Sequence, residues 1–341
     1  MIEPRQHHIL PAFYLAGFTD TGTKDGTLHV FDYARKRSYN SKPEKVARER
    51  DFYRLYKPDL YDYAIEKDLG ALESRLAPVL RHVTETDLAS PQELGTLLSL
   101  AANIYVRGRR ALERAYLALE EQMRSGLKDG TLTAEAWEEV RELLRLEGED
   151  SAARVTYEEA RRRIQEDEAW SPIAPRDYVV ARLADLNKLI LDALMPDTSE
   201  DHIWSLAVAN PDAGDFITSD SPLCWMSALP WEPGHKKVES IETPGPSDSL
   251  HDSSTTVSFP LNKKLALITR SYDRGVKERG FRYEAIAEVV AWVNARTQLA
   301  SFGTLYSPSE LFWLLGPGNK MGRSTDHFAH WDHLRRGAGL T

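Results

Sequence analysis

The sequence has few of the residue types and none of the short motifs that identify the commonest enzyme classes. Cys224 is the single cysteine among 341 residues, so an intrachain disulfide and a metal centre built on several cysteines are excluded. No stretch reaches the ~18 consecutive apolar residues of a membrane-spanning helix, and we expect no membrane partner. A P-loop, a G-x-G-x-x-G turn, a G-x-S-x-G elbow and an H-E-x-x-H helix are also missing.

The chain contains more acidic than basic side chains. Forty-three Lys and Arg residues face 52 Asp and Glu residues, which gives a net charge of −9. This excludes a globally basic nucleic-acid binder but leaves room for a local basic groove. The single thiol, and an N-terminal stretch without the apolar run of a signal peptide, predict a cytoplasmic protein.

The order of helical and strand-like segments predicts an α+β fold. Its N-terminal two thirds are predominantly helical, and strands flank the helices instead of alternating with them. We therefore expect a small antiparallel sheet built from N-terminal and C-terminal strands. The strand-like runs lie at 27–33, 202–209, 215–218, 257–261, 264–269 and 301–306. The runs 257–261 and 264–269 are predicted to form a hairpin, and 34–60 is expected to be mixed loop.

Apolar residues spaced by three and four predict the helices. The helix over 62–83 contains Pro78, so a kink or a break is expected there. The next helix begins at Ser90, whose spacing from Glu93 matches a capping box, and its apolar stripe continues to Leu119. Two more helices are predicted over 176–194 and 283–299.

The domain prediction is one α+β domain over 1–341 with a discontinuous sheet. Residues 135–168 hold twelve acidic and six basic side chains in 34 positions, a charge density that predicts a solvated helical hairpin broken near Gly148. We interpret 125–175 as a charged helical insertion, and 229–254, rich in Pro, Gly, Ser and Asp, as a long surface loop.

Two short polar stretches are candidates for chemistry. His7 and His8 precede a short helix predicted after Pro11, since proline suits the first turn of a helix. Imidazole is the usual general base and the commonest metal ligand near neutral pH. Ser219 and Asp220 stand where a predicted strand passes into a loop, a place from which side chains can face a pocket. Each has a structural alternative: the histidines can pack or cap, and the Ser-Asp segment can be a turn satisfied by backbone N–H groups.

Two further polar residues lie on predicted helices. Glu73 is on the edge between the apolar and polar faces, where a carboxylate can reach a cleft or pair with a neighbouring cation. Arg107 lies about 140° from the apolar stripe of its helix, so the default expectation for Arg107 is a solvated face.

These residues fall within a pattern that resembles a prokaryotic family of unknown function, domain of unknown function 4238. The resemblance runs in order over most of the chain and is carried by His7-His8-Ile-Leu-Pro11 to Phe18, 46–53, 72–79, Arg107, 218–222, 259–261 and Asn294. The 125–175 region shows no such pattern. The resemblance includes polar residues that are far apart in the sequence. It therefore implies that the fold brings these residues close together: His7, His8, Glu73, Arg107, Asp220 and Asn294.

Two hypotheses follow for the function. The first is a hydrolase or nuclease acting on a small molecule or nucleic acid that contains phosphate. Its catalytic set is His7, His8, Glu73 and Asp220, its binding set is Arg107, Ser219 and Asn294, and a divalent metal ion is optional. The second is a non-catalytic binding or regulatory module whose polar cluster is structural and whose acidic 135–168 region contacts a protein partner.

Overall fold

The computed structural model describes residues 6–50, 52, 64–167, 169–194, 202–226, 256–271, 281–316 and 320–323. Within them the α+β class is confirmed, and strands from both ends of the chain share one antiparallel sheet. The predicted loop at 229–254 lies outside the described residues. Contacts divide the chain into two units: unit 1 comprises 1–7, 50–71 and 109–186, and unit 2 comprises 8–49, 72–108 and 187–341.

Unit 1 is helical. Apolar side chains from its helices form one buried cluster around Leu127, Trp137 and Ala160, and the indole of Trp137 donates to the carbonyl of Val155 at 2.9 Å. The helices are α4 (Arg109–Asp129), α5 (Ala134–Glu147), α6 (Asp150–Ala153), α7 (Tyr157–Glu166) and α8 (Arg176–Ala181).

The prediction that 135–168 is wholly solvated is wrong. Its predicted break near Gly148 is confirmed, since Gly148 ends α5 with φ 85°, a conformation that favours glycine. However, α5 and α7 bury Trp137, Val140, Leu144 and Ile164 in the cluster of unit 1. The high charge density hid an apolar stripe, because the charges lie on the opposite faces and pair along each helix. The reading of 125–175 as an insertion stays a prediction.

The carboxylate of Glu147 caps the N-terminus of α8. Glu147 accepts hydrogen bonds from the N–H groups of Arg176 at 3.0 Å and Asp177 at 3.2 Å, donors that have no partner within a helix. Burial raises the pKa of Glu147 above its ordinary value of 4.5, the two N–H groups oppose this rise, and the negative charge of Asp177 adds to it.

We expect this carboxylate to make stability depend on pH. A raised pKa means that the folded protein holds this proton more tightly than the unfolded chain, so the stabilisation is complete below about pH 4.5 and is lost as pH rises through the folded pKa. In the wild type, the free energy of unfolding measured with urea should therefore fall between pH 4 and 7 as Glu147 loses its proton. Glu147→Gln should lose this dependence on pH, while the exposed control Glu142→Gln should keep it. Equal slopes in both variants would contradict the assignment.

Unit 2 contains the sheet that joins both ends of the chain. Its order is β3-β2-β11-β6, and the pairs β2–β3, β2–β11 and β11–β6 are all antiparallel. The strands are β2 (Leu28–Asp32), β3 (Arg37–Ser41), β6 (Thr218–Ser219) and β11 (Thr304–Ser307). This arrangement positions Ser219 and Asp220 at the end of β6, next to β11.

A second, five-stranded sheet of unit 2 has the order β10-β5-β9-β8-β7. Its β8 and β9 form the predicted hairpin, and only β10 and β5 pair in parallel. The strands are β5 (His202–Ala209), β7 (Cys224–Met226), β8 (Thr256–Pro260), β9 (Leu265–Ser271) and β10 (Phe281–Ala285). Short strands β1 (Gln6–His8) and β4 (Arg48–Arg50) form a two-stranded sheet, as do β12 (Trp313–Gly316) and β13 (Lys320–Arg323).

The central helix of unit 2 is α10 (Ala287–Ala300). Ala291 and Ala295 pack in one buried cluster with Phe31 and Leu305, whereas Val290 packs in another against the five-stranded sheet. Because α10 is buried on several sides, it carries no clear apolar stripe. The other helices are α1 (Ala12–Ala16) and α3 (Pro91–Val106) in unit 2, with α2 (Ala64–Thr86) and α9 (Leu183–Leu194) containing residues of both units.

Several predicted boundaries need correction. The helix α2 continues through Pro78, with buried side chains such as Leu76 before the proline and Val83 after it. The predicted alternative of a break is therefore wrong, and the alternative of a kink stays a prediction. The capping box at Ser90 is confirmed, but the stripe to Leu119 belongs to two helices, α3 and α4. The predicted helix over 176–194 is likewise two helices, the helix over 283–299 begins only at Ala287, and 34–60 includes β3 and β4.

Candidate functional site

The guanidinium of Arg107 links three elements of unit 2. Its Nη1 lies 2.5 Å from Oε1 of Glu73 on α2 and 3.4 Å from the side-chain oxygen of Asn103 on α3. Its Nη2 donates to the backbone carbonyl of His8, at the end of β1, at 2.5 Å. The side chain of Arg107 is 3% exposed and that of Glu73 is 28% exposed, so this is a buried ion pair with one partner reaching solvent.

The expectation of a solvated face for Arg107 is therefore wrong. The angle of 140° assumed that the helix continues past residue 107, but α3 ends at Val106 and Arg107 is its C-terminal cap residue. The turn that follows begins with Gly108, where an added Cβ atom would lie 3.1 Å from the carbonyl oxygen of Tyr105. Glycine permits this close approach and lets the chain leave the helix.

The imidazole of His8 lies beside this ion pair and is half-buried. Its pKa is lowered from 6.5, first by burial and then by the positive charges of Arg48 and Arg107, while Glu73 and the backbone of Leu10 raise it in part. Its Nδ1 atom is buried and has no hydrogen-bond partner among the described residues. At neutral pH the ring is uncharged, which is the protonation state that a general base requires.

The loop that holds Asp220 lies next to the end of α3. An added Cβ atom at Gly108 would be 3.5 Å from the carbonyl oxygen of Asp220, and the ring of Tyr105 packs against Trp225 with centroids 4.6 Å apart. The backbone of Asp220 is thus close to the turn that follows Arg107, although the two residues are 113 positions apart in the sequence.

The carboxylate of Asp220 binds backbone N–H groups of the segment that enters β11. It accepts from Phe302 at 2.7 Å and from Thr304 at 3.0 Å. The hydroxyl of Ser219, which is fully buried, accepts from the N–H of Ser221 at 3.1 Å. The Ser219 contact matches the structural alternative of a local turn. The carboxylate of Asp220 instead binds backbone groups 82 and 84 positions away, which a local turn does not involve.

The side chain of Asn294 on α10 binds three backbone groups in two segments of the chain, 215–217 and the one around Trp313. Its oxygen accepts from the N–H of Ile217 at 2.9 Å, and its nitrogen donates to the carbonyls of Asp215 and Trp313, each at 3.0 Å. All of these groups are part of unit 2, so Asn294 fixes the segment that leads into Ser219 and Asp220.

The structure thus places Glu73, Arg107 and the backbone of His8 in direct contact. The backbone of Asp220 lies next to the turn after Arg107, whereas the side chains of Asp220, Ser219 and Asn294 bind other backbone groups of unit 2. His7 is buried and belongs to unit 1. The role of each as a site residue stays a prediction. Sequence reasoning did not single out Arg48, although it lies within the 46–53 stretch of the family resemblance.

Neither a metal centre nor a membrane span is found in the described part of the chain. No group of three or more His, Cys, Asp or Glu side chains there is arranged to hold a metal ion. No helix there is long and apolar enough to cross a bilayer.

A family model described as "Protein of unknown function (DUF4238)" matches residues 6–310. No curated protein matches the chain, and no solved structure does.

Proposed function

Because the chain belongs to the DUF4238 family, whose description carries no reaction, we propose a function from the chemistry of the site: hydrolysis of a phosphate ester with His8 as the general base. The single observation that supports this most is the half-buried imidazole with a lowered pKa beside a buried carboxylate–guanidinium pair. Titratable groups whose pKa is shifted by burial and by specific charges concentrate at functional sites.

The proposed step uses the imidazole of His8 twice. The ring takes a proton from water as the water oxygen forms a bond to phosphorus, and the bond from phosphorus to the leaving oxygen breaks. The ring then returns the proton to that oxygen, so atoms and charges balance. General base catalysis of this kind contributes about 10²–10⁴-fold.

The ion pair serves the imidazole in this proposal. The negative charge of Glu73 favours the protonated ring and therefore stabilises the imidazolium that forms during the reaction. Arg107 holds both the carboxylate and the backbone of His8, which makes it a positioning residue.

The remaining predicted residues have supporting roles in the proposal. Asp220, Ser219 and Asn294 use their side-chain atoms to bind backbone, so we assign them to holding the loop beside Gly108. The proposal leaves His7 without a step. A divalent metal ion and a cytoplasmic location stay predictions.

The test is an assay of the purified protein on phosphomonoesters, phosphodiesters, nucleotides and single-stranded RNA and DNA, with and without Mg²⁺ or Mn²⁺. The proposal expects release of phosphate, or cleavage, that disappears in His8→Gln. If the wild type is inactive on every substrate, the hydrolase proposal fails.

A non-catalytic binding module is the second candidate, and one observation favours it. Arg107, Asp220 and Asn294 all bind groups of the chain itself, as expected of a polar network that fixes a core. Under this proposal the acidic 135–168 region contacts a basic protein partner. Replacing the exposed carboxylates Glu138, Glu142 and Glu158 with glutamine leaves the buried face of α5 and α7 intact. Under this proposal the triple variant would lose binding of that partner, whereas under the first proposal hydrolysis would persist.

A further inference from the structure

A left-handed residue shapes the entry into β4. Ala47 has φ 50°, a conformation that is uncommon for residues other than glycine and costs about 1 kcal/mol or more. Its carbonyl accepts from the N–H of Ile9 at 2.8 Å. Strained backbone of this kind persists where the surrounding structure holds it, and it concentrates at functional sites.

This bond aligns β1 with β4. Ile9 directly follows β1 and Ala47 directly precedes β4, so the pair runs antiparallel from that bond and Arg48 comes next to His8. Facing residues of paired strands have Cβ atoms about 4.5–5.5 Å apart. The strained turn at Ala47 therefore places a cationic side chain beside the imidazole, and the charge of Arg48 is felt by that ring.

The side chain of Arg48 is exposed to solvent. Within the described part of the chain it makes no hydrogen bond or ion pair. Arg107, by contrast, is buried and shares its charge with Glu73. With His8 neutral, the charges of Arg48, Arg107 and Glu73 sum to one positive charge, and the part that faces solvent is the guanidinium of Arg48.

We infer that Arg48 is the residue that binds the phosphate group of the substrate, as a planar fork of N–H donors beside the general base. A guanidinium matches two phosphate oxygens at once, and an arginine next to His8 would hold the phosphorus within reach of the attacking water. This inference rests on the proposed hydrolase function and assigns the anion-binding part of the same site.

Two experiments separate this inference from the proposed function. In the first, pyrophosphate binding is measured by calorimetry for the wild type, Arg48→Gln, Arg48→Lys and the exposed control Arg81→Gln. We expect Arg48→Gln to raise the Kd about tenfold, which corresponds to about 1.4 kcal/mol, and Arg48→Lys to restore part of the affinity. The control should match the wild type. This readout does not require catalysis, so it stands even if no hydrolysis is found.

The second experiment compares KM and kcat of the wild type and of Arg48→Gln on any phosphate ester that the wild type hydrolyses. A mononucleotide and an oligonucleotide are both assayed, to distinguish a small-molecule phosphate from a nucleic-acid phosphate. We expect Arg48→Gln to raise KM about tenfold and to shift the acidic limb of the pH profile upward, because the ring of His8 loses a neighbouring positive charge. Equal pyrophosphate affinity in Arg48→Gln and Arg81→Gln would overturn the inference. An unchanged KM in active Arg48→Gln would also overturn it and would leave the hydrolase function standing.

Discussion

Replacing His8 with glutamine is expected to lower kcat/KM for a phosphate ester by about 10²–10⁴-fold, the usual contribution of a general base. The fold should survive, because Arg107 binds the backbone carbonyl of His8 and not its ring. Glutamine keeps a polar side chain of similar reach but takes up no proton at neutral pH. The measurement is steady-state hydrolysis, with circular dichroism and thermal unfolding of the same samples.

The matched control for this variant is His82→Gln. His82 is an exposed histidine on α2 whose Nε2 lies 3.5 Å from Glu93, so its loss should change kcat/KM less than twofold. If His8→Gln retains more than a tenth of the wild-type activity while folding normally, His8 is not the general base.

Removing the carboxylate of Glu73 is expected to lower the free energy of unfolding of unit 2 by about 2–3 kcal/mol. The guanidinium of Arg107 is 3% exposed and would lose its charged partner, and breaking a buried pair by removing one partner typically costs 3–5 kcal/mol. The smaller figure applies because Glu73 is 28% exposed, so water can replace part of the lost interaction. Urea unfolding of Glu73→Ala measures the change.

The control is Glu85→Ala, which removes an exposed carboxylate from the same helix and should stay within about 0.5 kcal/mol of the wild type. The double variant Glu73→Leu with Arg107→Met removes both charges. It should be less destabilised than the sum of its single changes, since no unpaired buried charge remains. Equal effects of Glu73→Ala and Glu85→Ala would contradict the buried ion pair.

Local signals in the sequence predicted the secondary structure well where they are strong. The capping box at Ser90, the helix after Pro11 and the hairpin of β8 and β9 are all confirmed, because each depends on neighbouring residues. The α+β class and the joining of N-terminal and C-terminal strands are confirmed as well. The cap, the helix and the hairpin follow from periodicity and turn chemistry without knowledge of distant contacts, whereas the joining of distant strands was inferred from the order of the helical and strand-like segments.

What the sequence concealed depends on tertiary contacts. The end of α3 at Val106 and the burial of Arg107 are set by partners 34 and 99 positions away, Glu73 and His8, and helical angles do not reveal these. The buried face of α5 and α7 was masked by the high charge of their exposed faces. The position of Arg48 beside His8 has no periodic signal in the sequence, because it depends on the backbone conformation of Ala47 and on the pairing of β4 with β1.

The imidazole of His8 is expected to be neutral beside the Glu73–Arg107 ion pair, and an NMR titration of this ring in the wild type and in Glu73→Gln tests the expectation. We expect a pKa below 6.5 in the wild type, because burial and the charges of Arg48 and Arg107 outweigh that of Glu73. In Glu73→Gln we expect a still lower pKa, because the stabilising carboxylate is lost. A pKa at or above 6.5 that does not respond to Glu73→Gln would show that the ring is not held beside this ion pair.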